Sequence, residues 1–186
     1  MYGFLIPLLV GFALAGASAF TAAYSQHWGE RGGQLATSIL RNFLGIPLWL
    51  FGFILAWRSP APLLLSLSEV LKILGWLLFV AGLVPVIWGH VLLGWRTHMP
   101  SVRDTLVRHG LYACVRHPIY SGMMLVFVGL ALLRPTATVV VACALGFLWL
   151  IVQARLEELD LVQRLPAYRE YMEQVPRFVP RFRKKP

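Results

Sequence analysis

The chain has 186 residues, of which 58% are hydrophobic and only 13% charged, and its mean hydropathy is +0.68. Soluble domains carry about 25% charged residues, so this composition excludes an ordinary water-soluble globular protein and points to a single compact bundle in a membrane. The excess of 17 Lys and Arg over 8 Asp and Glu would suit nucleic acid in a soluble chain, but here anionic lipid headgroups account for it and no nucleic acid partner is expected.

Residues 3–24, GFLIPLLVGFALAGASAFTAAY, are uncharged and long enough to cross a bilayer core, which takes about 20 helical residues. No Lys or Arg precedes the run, so a cleaved signal peptide is not expected. Further spans are predicted over residues 43–57, 73–93, 119–133 and 136–152, the last two separated by Arg134 and Pro135 and therefore joined in a tight hairpin. Two of these runs are short, which suits tilted helices with snorkelling flanks or a locally thinned bilayer. The expected fold is all-α: a polytopic membrane helix bundle with five transmembrane helices and a cytoplasmic C-terminal cofactor-binding segment. Residues 1–186 form one domain, with three helices in 1–100 and a catalytic loop, hairpin and tail in 101–186. Five crossings put every Lys and Arg except Arg58, Lys72 and Arg134 on one face, so the positive-inside rule sets the N-terminus outside and the C-terminus in the cytoplasm. In a bacterium this would be the inner membrane. Cys114 and Cys143 lack metal-ligand or secreted-framework spacing and read as packing thiols, and no metal site is expected.

The hairpin brings two polar cytoplasmic segments together, residues 108–122 and 155–171. Pro118 is a good first-turn residue, and the free amides after it favour negative charge, with Arg116 and His117 just in front. The fifth helix is expected to continue through residues 155–165, setting Glu157 and Glu158 on neighbouring faces with Arg155 one turn before Glu158. Singly, an Arg at a helix mouth is an anchor, a lone His is structural, the Glu pair is a solvated face and Tyr112, Tyr120, Tyr168 and Tyr171 are an interfacial belt. Their coincidence at one end of one hairpin exceeds what anchoring requires. Such a pocket suits a zwitterion with an aromatic ring and a carboxylate. S-adenosylmethionine fits that description, as do other zwitterions including lipid headgroups.

The run HGLYACVRHPIYSG, followed after the hairpin by RLEELDLVQRLPAYREYMEQVPRFVPRF, resembles the isoprenylcysteine carboxyl methyltransferase and phospholipid methyltransferase superfamily of integral membrane enzymes. The resemblance covers residues 105–182. It rests on Gly-x-Tyr, Arg-His-Pro-x-Tyr with a Gly two residues later, a Glu-Glu pair, Tyr-x-x-Tyr and Val-Pro-Arg; Leu165-Pro166 stands where members often carry Phe-Gly. It implies S-adenosylmethionine as methyl donor, S-adenosylhomocysteine as product, and a lipid or lipidated acceptor entering from the bilayer. Carried over by position, His109, Gly110, Leu111, Tyr112, Arg116, His117, Pro118, Tyr120, Ser121 and Gly122 would cradle the cofactor, with Glu157 or Glu158 closing over it. Arg155, Glu158 and His117 are the catalytic candidates, Arg155 as the clamp for a substrate carboxylate.

The tail favours carboxyl O-methylation of an isoprenylcysteine-type substrate, which needs a cation to orient the nucleophile, for which Arg155 or Arg116 is suited. N-methylation of a phospholipid amine, the alternative, needs a proton acceptor such as Glu157, Glu158 or His117. A reading of another class is a non-catalytic lipid-binding scaffold. Haem ligation by His90, His98 or His117 is disfavoured by their spacing.

Overall fold

The computed structural model describes residues 2–66 and 68–181; Arg183, Lys184 and Lys185, counted above on the basic face, lie outside the described residues. Among the described residues seven α-helices follow in order: α1 Leu5–Ala17, α2 Thr21–Ser38, α3 Ile46–Arg58, α4 Glu69–Leu93, α5 Pro118–Leu133, α6 Ala137–Arg164 and α7 Tyr168–Gln174. A π-helical segment, Ile39–Gly45, joins α2 to α3 without a break. Among the described residues no strand forms, only one isolated bridge between Leu63 and Thr136. Three helical runs are long and apolar enough to cross a membrane, Thr21–Arg58, Glu69–Thr97 and Ala137–Arg164, while Leu5–Ala17 and Pro118–Leu133 are shorter apolar helices.

The single first span expected over residues 3–24 is corrected: α1 stops at Ala17 and α2 starts at Thr21. The break is made by polar contacts that local hydropathy does not register. Ser18 Oγ donates to Ala15 O at 2.6 Å, Arg41 Nε donates to Ser18 Oγ at 3.2 Å, and Asp160 Oδ1 on α6 accepts from the Ala22 amide at 2.7 Å, satisfying an otherwise orphaned donor in the first turn of α2. The stretch expected to connect the first two spans is helical too. It kinks at Gly29, whose φ of 72° lies in the left-handed region that glycine alone enters at little cost.

The later elements follow their local signals. Ser68 caps α4, accepting from Leu71 N at 3.3 Å, and Gly94 ends it with φ 57°. Pro118 opens α5 as expected, and α6 runs unbroken to Arg164. Leu165 is extended at φ −125° and ψ 94°, as the residue before a proline must be, and Pro166 turns the chain into α7.

The closest packing is between α4 and α5. Gly75, Gly82 and Gly89 recur every seventh residue on α4 and are its buried positions. A Cβ on Gly82 would stand 2.5 Å from Gly122 O, and one on Gly129 would stand 2.7 Å from Gly75 O. The two backbones therefore touch, which is how helices gain dispersion contact where lipid supplies no hydrophobic drive. At one end of the bundle the Pro62–Leu64 loop bonds to the hairpin turn, Leu64 N to Pro135 O at 2.8 Å and Ala137 N to Pro62 O at 3.1 Å. Phe4 packs at that end beside Leu55, Ser59 and Pro60. The opposite end gathers the C-termini of α1 and α4, the irregular loop 94–117, α7 and the tail.

Gly129→Val should therefore destabilise the bundle by about 1–3 kcal/mol through overpacking, seen as a lower thermal midpoint in detergent. Gly3→Ala, which adds a methyl with nothing within 4 Å, should leave the midpoint unchanged.

Candidate functional site

Two adjacent carboxylates on α6 organise the polar end, and a helix rotates each residue by about 100°, so they face different neighbours. Glu158 turns to the α5 mouth and the tail. Its side chain is only 5% exposed, and its oxygens take Arg116 Nε at 2.9 Å, His117 Nε2 at 3.2 Å, Arg177 Nε at 3.1 Å and Arg177 Nη2 at 2.5 Å. Two guanidinium groups on one buried carboxylate keep it ionised and fully bonded.

Arg116 spends its other donors on the backbone. Its Nη1 donates to Met172 O at 2.8 Å and Val175 O at 2.7 Å, placing a cation where the last carbonyls of α7 point. The tail is then strapped across α5: Arg116 N donates to Pro176 O at 2.9 Å, His117 N to Arg177 O at 3.0 Å, and Ser121 Oγ to Phe178 O at 2.7 Å. The α5 mouth expected to wait open for a negative ligand is thus occupied, in part, by the chain's own carbonyls. Arg177 holds its proton more tightly than usual because of its hydrogen bonds to Glu158.

Glu157 faces the interior instead. Its Oε1 accepts from Tyr120 OH at 2.6 Å, Arg41 Nη2 at 3.1 Å and Gln153 Nε2 at 3.2 Å. No hydrogen bond reaches its Oε2 among the described residues; His117 Nδ1 is 3.9 Å away. The His117 and Tyr120 rings stack at 5.4 Å with planes 2° apart, fixing the imidazole between the two carboxylates.

Beside Glu157 opens a cavity of about 360 Å³, within the range of small-molecule sites. It extends along α6 from Gly146 to Arg164, about 27 Å at the helical rise. One end is apolar, with Phe12, Trp49, Phe127 and Trp149; the other is polar, with Arg41, Glu157 and Tyr168. Two buried polar atoms on residues lining it, Gln153 Oε1 and the Tyr168 hydroxyl, have no partner among the described residues, an arrangement that native proteins reserve for ligand or water. Burial raises the ionisation of Tyr112 and Tyr168 above the ordinary phenol value and pushes Tyr171 up to about 12, so these hydroxyls stay protonated donors. Tyr171 OH uses its proton on Tyr112 O at 2.6 Å.

Of the residues singled out from sequence, Tyr112, Arg116, His117, Tyr120, Glu157, Tyr168 and Tyr171 line the cavity. Glu158 stands behind its wall, and Pro118 and Ser121 build the α5 mouth rather than the lining. Gly122, expected to let the cofactor approach, is filled by α4: a Cβ there would meet Pro85 Cγ at 2.8 Å. Gly110 makes a left-handed turn at φ 60° against Leu92, with exposed His109 and half-buried Leu111 on either side, outside the lining. Arg155 is the clearest correction. It lies on the exposed side of α6 and off the cavity, because two residues before Glu157 is about 200° around the helix. Sequence reasoning missed Arg41 and Gln153. Gln153 had a signal, a lone amide one turn before Glu157 within an apolar run; Arg41 had none beyond its charge.

A family model described as phospholipid methyltransferase matches residues 70–167. No curated protein and no solved structure matches the chain significantly.

Glu158→Gln leaves the buried Arg116 and the partly exposed Arg177 without their counter-charge, which should cost about 3 kcal/mol and loosen the strap. Trypsin should then cut after Arg177 faster than in wild type, while Glu173→Gln, at an exposed position on α7, should not change the cutting rate.

Proposed function

The chain belongs to the phospholipid methyltransferase family, and on that premise we propose that it transfers a methyl group from S-adenosylmethionine to the headgroup of a membrane-embedded, lipid-like acceptor. The observation that carries this reading is a cavity with an apolar end and a polar end, where Glu157 Oε2, Gln153 Oε1 and the Tyr168 hydroxyl lack partners. Those groups suit the hydroxyl and amine groups of a nucleoside and amino acid, and the tyrosines supply faces for an aromatic base. When bound, the cofactor supplies a methyl group on a cationic sulfur. Glu157, Gln153, Tyr120 and Tyr168 would hold it, and Arg116, His117 and Glu158 would keep that wall and the tail in place.

Methyl transfer is an in-line displacement, so this chain's contribution is to hold the partners in line and exclude water. Phe12, Trp49 and Trp149 make the dry end, suited to an acyl or prenyl chain. For the acceptor we favour a lipid amine, which must lose its proton before attack. Glu157 Oε2 is an open carboxylate oxygen on the cavity wall, while of the two cations expected to serve carboxyl O-methylation Arg155 lies off the cavity and Arg116 is bonded to Glu158 and the carbonyls of Met172 and Val175. Carboxyl O-methylation of an isoprenylcysteine-type substrate remains the second reading, supported by other cavity cations. In the same proposal residues 1–186 are one domain crossing the membrane five times, with α1 and α5 tilted or in thinned bilayer, the N-terminus outside and the C-terminus cytoplasmic.

S-adenosylhomocysteine titrated into the detergent-purified protein should bind in the micromolar range, and Glu157→Gln should slow methyl transfer roughly 10²- to 10⁴-fold. With a phosphatidylethanolamine acceptor the rate should rise with pH as the amine or its base gives up a proton. A flat profile near neutrality would favour the carboxylate acceptor, and no binding by folded wild type would return the protein to the scaffold class.

A further inference from the structure

Four arginines line the cavity, Arg41, Arg96, Arg116 and Arg164. Three have carboxylates within ion-pair distance: Arg41 with Glu157 at 3.1 Å, Arg116 with Glu158 at 2.9 Å, and Arg164 with Asp160 at 2.5 Å and Asp104 at 3.6 Å. Arg96 pairs with no carboxylate among the described residues; its Nη1 donates to Thr105 O at 2.9 Å. It is half-buried, and a guanidinium held partly out of water against a cavity calls for an anion.

Arg41 is pinned next to this position. Its Nη1 donates to Thr97 O at 3.4 Å, and Asn42 Nδ2 donates to His98 O at 2.9 Å, so the two residues after Arg96 are bonded to the segment that carries Arg41. That segment is the seven-residue π-helix Ile39–Gly45. A π-helix is a rare, costly backbone form that recurs at functional sites, and here it turns consecutive residues, Arg41 and Asn42, to the same cavity. Arg41 also touches Glu157, so a positive and a negative subsite stand side by side.

We infer that Arg96 and Arg41 form an anion subsite at the polar end of the cavity that binds the phosphodiester or carboxylate oxygens of the acceptor and so determines its specificity. This rests on the methyl-transfer reading for the word acceptor, but the subsite itself is defined by charge and position. An acceptor anion on the two guanidiniums draws Arg41 from Glu157 and sets a neighbouring ammonium against the open Oε2. Arg41 lies before the segment matched by the family model, residues 70–167, and Arg96 lies within it.

The test is calorimetric titration of the full-length protein in non-ionic detergent with dihexanoyl phosphatidylethanolamine, N-acetyl-S-farnesylcysteine, neutral dihexanoylglycerol, and S-adenosylhomocysteine. Wild type should bind at least one of the probes that carries a phosphodiester or a carboxylate more tightly than dihexanoylglycerol, which carries neither, and the tighter of the two identifies phosphodiester or carboxylate as the source. Arg96→Gln should weaken that probe about tenfold or more while changing the neutral probe and S-adenosylhomocysteine less than twofold; Arg41→Gln should weaken the same probe by a similar factor, with S-adenosylhomocysteine affected as well because Arg41 also holds Glu157. Arg96→Lys, which keeps the charge without the fork, should recover part of the loss. Arg96→Gln is the safer variant, since Arg41 also supports Ser18 and Thr97. Unchanged affinity for that probe in Arg96→Gln, equal affinity of wild type for all three lipid probes, or parallel weakening of S-adenosylhomocysteine in Arg96→Gln would overturn the subsite. Anion selectivity without any S-adenosylhomocysteine binding would sustain it and overturn the methyl-transfer reading instead.

Discussion

A carboxylate that has left water must find enough donors to replace it, and Glu158 finds them on two other segments of chain, so that three segments meet at it. Arg116 and His117 come from the loop before α5, Arg177 from the tail, and Glu158 itself from the far side of the α5–α6 hairpin. Breaking any one contact strands a charge, so the segments are held to one geometry by electrostatics that the apolar helices could not supply. The rest of the polar end depends on this knot. With His117 fixed against Glu158, the Tyr120 ring stacks on it and aims its hydroxyl at Glu157, which then faces the cavity.

The two carboxylates therefore divide the work. Glu158 is saturated with cations and buried, suited to holding structure; Glu157 keeps one oxygen open beside a long cavity, suited to ligand. Adjacency in sequence makes this division possible, because a helix sends neighbours about 100° apart and one position can face the wall while the next faces the lumen. Arg116 likewise serves α7 and Glu158 rather than an open helix mouth, so its influence on a bound cofactor would pass through the groups it positions.

Much of this was legible in the residues. Pro118 as the start of a helix, Arg134-Pro135 as a tight turn and the continuation of the last long helix past its apolar part all follow from local rules, and the structure bears them out. The break at Ser18 was not legible, because the stretch around it is uncharged and the acceptor that fixes the start of α2 is Asp160, more than a hundred residues away. Gly122 illustrates a different ambiguity: a glycine in a motif allows close approach, but the sequence does not say whether a ligand or another helix approaches, and here it is α4. The placement of Arg155 could have been foreseen. Gln153, Glu157, Asp160 and Arg164 repeat at three to four residues and define one stripe, and Arg155 falls outside it.

The strap has a consequence for the order in which the molecule is made. Glu158 acquires its last guanidinium, and α5 its last bonds, only when residues 176–178 have been synthesised and laid across the bundle. Until then the hairpin carries an incompletely paired charge at its end, while α1 already has α3 and α4 already has α5 to pack against. The cavity thus acquires its finished wall when the tail docks, after the helices that frame it have been made.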